Sequence, residues 1–232
     1  MDPTINVAGD YPDTVFIHIS GFKTADDVGT GFGKIEEPRY VSGLIAGQMT
    51  ESNQVGYVAA FPIPEVLRGI NAFTLGVREA NPEATVQVVW TNTWFNPQVE
   101  RQAAEALLDG GADVIAQHQD TPGPQQAAED RGLYGVGYNA DMAPLAPDAV
   151  LTSAIWNWGP FYIDTVQQVI DGTWESSQYW GGWQDGVVDL APIGPMVPDD
   201  VRAMAEAEAE AFRSGEDTIY TIFTGPLLDQ SG

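Results

Sequence analysis

The stretch from residue 54 to residue 77, QVGYVAAFPIPEVLRGINAFTLGV, decides the fold class. It begins with a near-continuous run, Gln54 to Ala59, of the kind found in parallel strands covered on both faces. After a proline-rich turn, Leu67, Ile70, Phe73 and Val77 recur at spacings of three and four, which lays one apolar stripe along a helix. A strand followed at once by an amphipathic helix is half of a βαβ unit.

The same alternation recurs along the chain. Strand-like runs lie at Val15–Ile19, Val86–Trp90, Asp113–Ala116, Leu133–Tyr138 and Leu151–Ile155. Helical patterns fall between or after them. One starts at Asn96-Pro97 and stops at Gly110-Gly111, and a short one spans Gln125 to Arg131. Another starts near Pro160 and runs through Tyr162, Val166, Val169 and Ile170 to Gly172. A late one opens at Pro198-Asp199-Asp200, its acids at the positive end of the helix dipole. The class is α/β with a mostly parallel sheet.

Composition excludes several functions. The 232 residues hold no cysteine, so disulfides, thiolate nucleophiles and cysteine-ligated metals are ruled out. Nine Lys and Arg stand against 33 Asp and Glu, a net charge of -24. Such a chain has little surface for neutralising phosphates, so no nucleic-acid partner is expected. Anionic membranes should repel it. The acids are spread along the sequence, not blocked into a tail, which fits a surface adapted to high salt, where screening removes self-repulsion, a cation-binding role, or ordinary acidic solubility; the first is favoured because -24 on 25 kDa is far out for the last. No apolar run is long enough to cross a membrane, so direct membrane insertion is not expected, and Met1-Asp2-Pro3-Thr4 does not open a signal peptide.

In open parallel sheets, ligands sit beyond the carboxyl ends of the strands. Four strand ends here carry aromatics, amides or acids: Thr91-Asn92-Thr93-Trp94-Phe95, Gln117-His118-Gln119-Asp120, Asn139-Ala140-Asp141 and Trp156-Asn157-Trp158. That mixture suits a flat ligand with hydrogen-bonding edges. Catalytic and metal signals are weak. Gly29-Thr30-Gly31-Phe32-Gly33-Lys34 has neither phosphate-loop spacing and reads as a flexible loop. His18 reads as a packed core residue and His118 as a polar pocket wall; two distant histidines make a poor zinc site. Asp120 and Asp141 read as paired carboxylates for glycoside chemistry, which their spacing does not test, or as acceptors for a ligand N–H or hydroxyl. Trp174, Trp180 and Trp183 read as an aromatic group on a loop or hairpin. No catalytic residue, metal or cofactor is expected.

Several segments together carry a family resemblance. PRYVSGLIAGQMT (38–50), VGYVAAFPIPEVLRGINAFTLGVREANP (55–82), GADVIAQHQD, GVGYNADM, LTSAIWNW and DGVVDLAPIGPMVPDDV (185–201) follow in order. They are similar to segments of the basic-membrane-protein family of substrate-binding proteins, the extracytoplasmic receptors of ABC importers for nucleosides and related purines. The resemblance implies a type I periplasmic-binding-protein fold with two α/β lobes and ligand held in the cleft between them. It implies a small-molecule purine and ABC permease subunits as partners, no enzymatic activity, and a periplasmic or cell-surface location through a lipid anchor on the full-length parent. On this pattern, residues 1–52 and 185–232 form the remainder of a first lobe and 53–184 the second. Chain crossings fall near 50–54 and 150–190. The family begins with a leader and two βα units that this sequence does not show, so the chain is expected to be a fragment or a late gene start, with its first lobe incomplete.

The resemblance also bears on the ligand. Asp141 matches the acid of the family's nucleoside receptors, whereas Trp156 stands where they carry a sugar-contacting lysine. Replacing an ammonium by an indole removes a sugar clamp and adds a flat face. A branch of the family with this pattern binds free purine base such as adenine, so a bare base is the expected ligand. Phe61, Trp94 and Trp156 are the ring candidates, joined by Trp158. Asn92, Gln117, Asp120, Asn139, Asp141 and Asn157 are the polar candidates for its edge. Two other readings stand beside this one: a ligand-sensing or interaction module with the same fold, and a nucleoside-processing enzyme, for which the required aspartate cluster is missing.

Overall fold

The computed structural model describes residues 1–224. The chain forms two compact units. Unit 1 comprises Met1–Lys34 and Trp156–Val188; unit 2 comprises Ile35–Ile155 and the chain from Asp189 on. These divisions fall elsewhere than the expected ones at 52/53 and 184/185. The reason is strand pairing. Residues 28–33 pair with 16–19 and with 178–181, which holds those three segments in one unit, while residues 36–49 pack on the helix that follows Ala59.

Unit 2 is built on a six-stranded sheet in the order β4-β3-β5-β6-β7-β9. Its strands are β3 (Gln54–Ala59), β4 (Thr85–Trp90), β5 (Val114–His118), β6 (Tyr134–Asn139), β7 (Val150–Trp156) and β9 (Val188–Leu190). The pairs from β4 through β7 are parallel. From β3 the chain moves outward to β4, then returns to the opposite side of β3 to lay down β5. This reversal makes the β3/β5 boundary the topological switch point, where strand-end loops diverge and leave a crevice.

Helices cover both faces of that sheet. α2 (Glu36–Met49) and α3 (Pro64–Ala80) lie on the face bearing Tyr57, whose ring meets Phe73 edge-on at 5.4 Å. α4 (Pro97–Asp109) and α5 (Gly123–Glu129) lie on the other, around Val58, Ala104, Leu107, Ile115 and Ala128. α7 (Asp199–Ser214) packs beside α2, and Phe212 meets Tyr40 at 6.2 Å. α8 (Ile219–Ile222) closes the described chain. The α2–α3 contact is backbone against backbone. A Cβ on Gly76 would collide with the Tyr40 carbonyl, one on Gly43 with the Phe73 carbonyl, and one on Gly47 would lie 2.5 Å from the Val77 carbonyl oxygen.

Unit 1 holds α1 (Asp2–Ala8), β1 (Phe16–Ile19), β2 (Val28–Gly33), α6 (Gly159–Asp171) and β8 (Gln178–Gly181), with β1, β2 and β8 parallel. Two expectations are corrected here. The GTGFG run is a buried central strand, not a flexible loop. Its glycines share one face, and aromatic rings lie on them. A Cβ on Gly33 would be 2.5 Å from the Trp156 ring, one on Gly31 2.9 Å from Phe161, and one on Gly29 3.2 Å from Trp174. The segment around Trp180 is likewise a strand parallel to β2, not a loop or hairpin. The α6 pattern does form a helix ended by Gly172 at φ 68°, but Tyr162, Val166, Val169 and Ile170 stay exposed and only Phe161 is buried.

Among the described residues, no helix is long and apolar enough to cross a membrane. Acids crowd one another where α2, α3 and α7 meet. Burial, then Asp217, Glu79 and Glu216, raises the Glu208 carboxyl above its usual range, and burial with the same kind of neighbours pushes Tyr40 up to about 12.

Gly76→Val should lower unfolding free energy by about 3 kcal/mol or more in urea titration, since a β-branched side chain cannot fit against the Tyr40 carbonyl. Raising salt from about 0.1 to 1 M shortens the screening length from roughly 10 to 3 Å, so the melting temperature should rise steadily over that range.

Candidate functional site

The strand ends of unit 2 at its switch point assemble an aromatic row with a polar edge. Phe61, just after β3, lies 5.3 Å from Trp94, which follows β4. Trp94 lies 6.2 Å from the His118 ring at the end of β5, and His118 lies 4.5 Å from Tyr138 near the end of β6. Exposure grades along the row: Tyr138 and His118 are buried, Phe61 is half-buried and Trp94 is 40% exposed. Beside it, the Asn139 amide donates to Asp120 Oδ1 at 2.8 Å. Asn92 and Asn139, each at or just past a strand end, have φ of 55° and 70°. Non-glycine residues in this left-handed region are often found where a backbone is held for function.

Electrostatics reinforce this layout. Protein around Asp120 pushes its carboxyl up, although the side chain reaches solvent; the Asn139 amide pulls the other way, and Glu65 adds to the rise. Burial, with the charge of Arg39, lowers His118 to about 4, against a smaller opposing effect of Glu65. The imidazole is therefore uncharged at neutral pH and serves as a flat, polar ring rather than a cation. Its Nε2 faces Glu65 Oε1 at 3.7 Å, beyond hydrogen-bond distance, and its Nδ1 has no hydrogen-bond partner.

The loop carrying Asp120 is fixed from behind by Glu100, a fully buried acid on α4. One Glu100 oxygen accepts from the Asn96 N–H at 2.7 Å. The other accepts from the Thr121 N–H at 3.1 Å and from the Thr121 hydroxyl. Asn96 in turn caps α4 by accepting from the Val99 N–H at 3.2 Å. A shallow recess of about 530 Å³ opens next to this loop, with Phe95, Pro97, Arg101 and Asp120 on its walls.

The ten residues expected at the site divide between the units. Phe61, Asn92, Trp94, Asp120 and Asn139 lie on the strand-end face of unit 2, and Asp141 follows Asn139 on the same loop. Asp141 is exposed, and its Oδ1 accepts from the Ala143 N–H at 2.9 Å, so it holds the turn into a 3-10 helix at Ala143–Leu145. Gln117 is different. β5 runs two residues past its expected end at Ala116, so alternation decides which way each side chain points. His118 points to the α3 face, whereas Gln117 is fully buried on the α5 face and its amide donates to Thr121 O at 3.0 Å.

Trp156, Asn157 and Trp158 belong to unit 1. The two indoles stack at 5.2 Å with planes 17° apart, and Trp156 meets Phe32 edge-on at 6.0 Å. Asn157 bridges to the chain before β9: its N–H donates to Val187 O and its side-chain amide to Gly186 O, each at 2.9 Å. Sequence reasoning gave His118 only a wall role and missed Arg39, Glu65, Glu100 and Tyr138. Of these, Arg39 had a visible signal, a lone cation inside the apolar run PRYVSGLIAG.

The family model for "ABC transporter substrate-binding protein PnrA-like", Bmp, matches residues 1–218, and the chain belongs to this family of binding proteins. It is 44% identical over all of its length to the purine-binding protein BAB2_0673 of Brucella abortus, of which it spans 65%. It is 48% identical over 95% of its length to a putative ABC transporter glucose-binding protein, TsgA13, of Haloferax volcanii, of which it spans 56%. Among solved structures, an ABC transporter solute-binding protein from Conexibacter woesei superposes with a TM-score of 0.72 at 26% identity, covering 94% of this chain and 75% of that one. The fold is thus the type I periplasmic-binding-protein fold, in two α/β units with mostly parallel sheets.

Because the folded chain keeps His118 neutral while the unfolded chain takes up its proton near pH 6.5, stability should fall as pH drops from 6.5 toward 4. The full effect is about 3 kcal/mol. Urea titrations across that window should show His118→Phe losing less stability than wild type by about that amount, and NMR should show the His118 ring untitrated above pH ~5.

Proposed function

We propose that this chain is the ligand-binding part of an extracytoplasmic receptor of an ABC importer, acting at the periplasmic side or cell surface. It captures a purine, with a free nucleobase such as adenine favoured over a nucleoside, and delivers it to permease subunits. The observation that carries this reading is the row Phe61, Trp94, His118 and Tyr138 beside the Asp120–Asn139 pair at the switch point of unit 2.

Each part has a physical task. The exposed Trp94 face stacks on the base, an interaction of about 1–3 kcal/mol in comparable base–aromatic contacts. Asp120 accepts from ring or exocyclic N–H groups, while Asn139 offers a carbonyl oxygen. A base presenting the wrong edge leaves a buried group unpaired, at about 1–3 kcal/mol. On unit 1, Trp156 and Trp158 stack on one another, and the family resemblance puts Trp156 where nucleoside receptors carry a sugar-clamping lysine. Asp141, Asn157 and Asn92 remain proposed polar contacts; Gln117 supports the loop from within. Capture completes when ligand shifts the population toward a form that binds it more tightly.

A second reading is supported by the 48%-identical relative, whose name gives glucose as its ligand. Aromatic faces stack on sugar C–H groups, and an acid–amide pair can hold hydroxyls. Calorimetric titration separates the two. Adenine should bind with a dissociation constant near 1 μM or below, adenosine at least about tenfold more weakly, and glucose without measurable heat. Trp156→Lys should narrow the adenine–adenosine gap to about threefold or less. Equal affinity for adenosine in wild type would sink the bare-base preference, and glucose binding without adenine would replace the purine reading.

A further inference from the structure

The Arg39 side chain reaches from α2 to three strands of unit 2. It is 1% exposed. Its Nη1 donates to the Tyr57 hydroxyl on β3 at 2.5 Å and to the Gln117 carbonyl oxygen on β5 at 2.9 Å. Its guanidinium carbon lies 4.1 Å from the centre of the Tyr138 ring on β6. Gly69 on α3 makes room for it, since a Cβ there would stand 2.8 Å from Arg39 Cδ. Its Nε and Nη2 have no hydrogen-bond partner, so the grip consists of one nitrogen and one planar face.

The titratable groups set against it are Tyr57 on β3 and Tyr138 on β6, and its charge is felt by His118 on β5. Glu65 on α3 faces His118 in turn, at 3.7 Å. Burying a cation is costly unless it is well held, and an apolar residue would fill the same space without that cost. The guanidinium, however, does what no apolar residue can. It takes a strand carbonyl in its plane and a ring on its face at the same time.

The two strands it joins are those that end in the polar pair. Gln117 is three residues before Asp120 on the β5 side, and Tyr138 immediately precedes Asn139 on the β6 side. We propose that Arg39 is a positioning residue for ligand binding: from inside unit 2 it sets the ends of β5 and β6 relative to one another, and thereby the Asp120–Asn139 pair that receives the ligand edge. The inference rests on the purine reading given above and names the residue that pre-organises that site.

The experiment compares wild type with Arg39→Lys, Arg39→Met and Tyr57→Phe. It measures adenine affinity by calorimetry, the His118 ring titration by NMR, and the melting temperature. With two histidines in the chain, the His118 resonances are assigned by difference against His18→Gln. Arg39→Lys keeps the charge, so His118 should stay hard to protonate while adenine affinity falls at least about tenfold, because an ammonium has no planar fork. Arg39→Met should lower affinity similarly and let His118 titrate closer to its ordinary range. Tyr57→Phe leaves the contacts to β5 and β6 in place and should change affinity less than about threefold.

A folded Arg39→Lys or Arg39→Met protein that binds adenine as wild type does would overturn the proposal. So would loss of fold in both Arg39 variants with unchanged binding in Tyr57→Phe, which would make Arg39 a residue of the core alone. Wild type that fails to bind adenine in the same titration overturns the purine reading, and this inference with it.

Discussion

The direct backbone contact between α2 and α3 is the constraint on which unit 2 depends. Gly43, Gly47 and Gly76 let the two helices touch without intervening side chains. From α2, the Arg39 side chain passes Gly69 of α3 and reaches the carbonyl of Gln117 and the ring of Tyr138. Glu65, in the first turn of α3, lies 3.7 Å from His118 at the strand ends, so residues of both helices act on that ring: Arg39 opposes its protonation and Glu65 favours it.

Unit 1 uses glycine for a different end. On β2 the missing side chains are replaced by rings from distant segments, with Trp156, Phe161 and Trp174 lying over Gly33, Gly31 and Gly29. Trp156 is thereby seated on backbone and stacked against Trp158. An indole held in this way has little conformational freedom left. The WNW sequence at the end of β7 is explained in the same terms: the two tryptophans stack, and the asparagine between them bonds to Val187 and Gly186.

Much of this was legible in the sequence wherever the signal was local. Strand β3 and helix α3 follow from hydrophobic periodicity, and the cap at Asn96 follows from Asn-Pro before an apolar stripe. What escaped depends on partners far away in the chain. GTGFG reads as a loop because its composition is loop-like, and only rings more than a hundred residues later make it a strand core. Gln117 was expected beside the ligand because β5 was read as ending at Ala116. Extending the strand to His118 turns Gln117 to the α5 face and the histidine ring to the α3 face. The boundaries between units also rest on the pairing of β2 with β8, which no local pattern encodes.

The central claim is that a flat nitrogenous base, held by stacking and by an acid–amide pair, is the natural cargo of these strand ends. Native mass spectrometry of the gently purified protein in volatile salt tests it most directly, with any co-purified small molecule identified after denaturation. The account predicts a bound mass equal to adenine or another free purine, released when Asp120 is replaced by alanine. A hexose or an intact nucleoside in its place would contradict it.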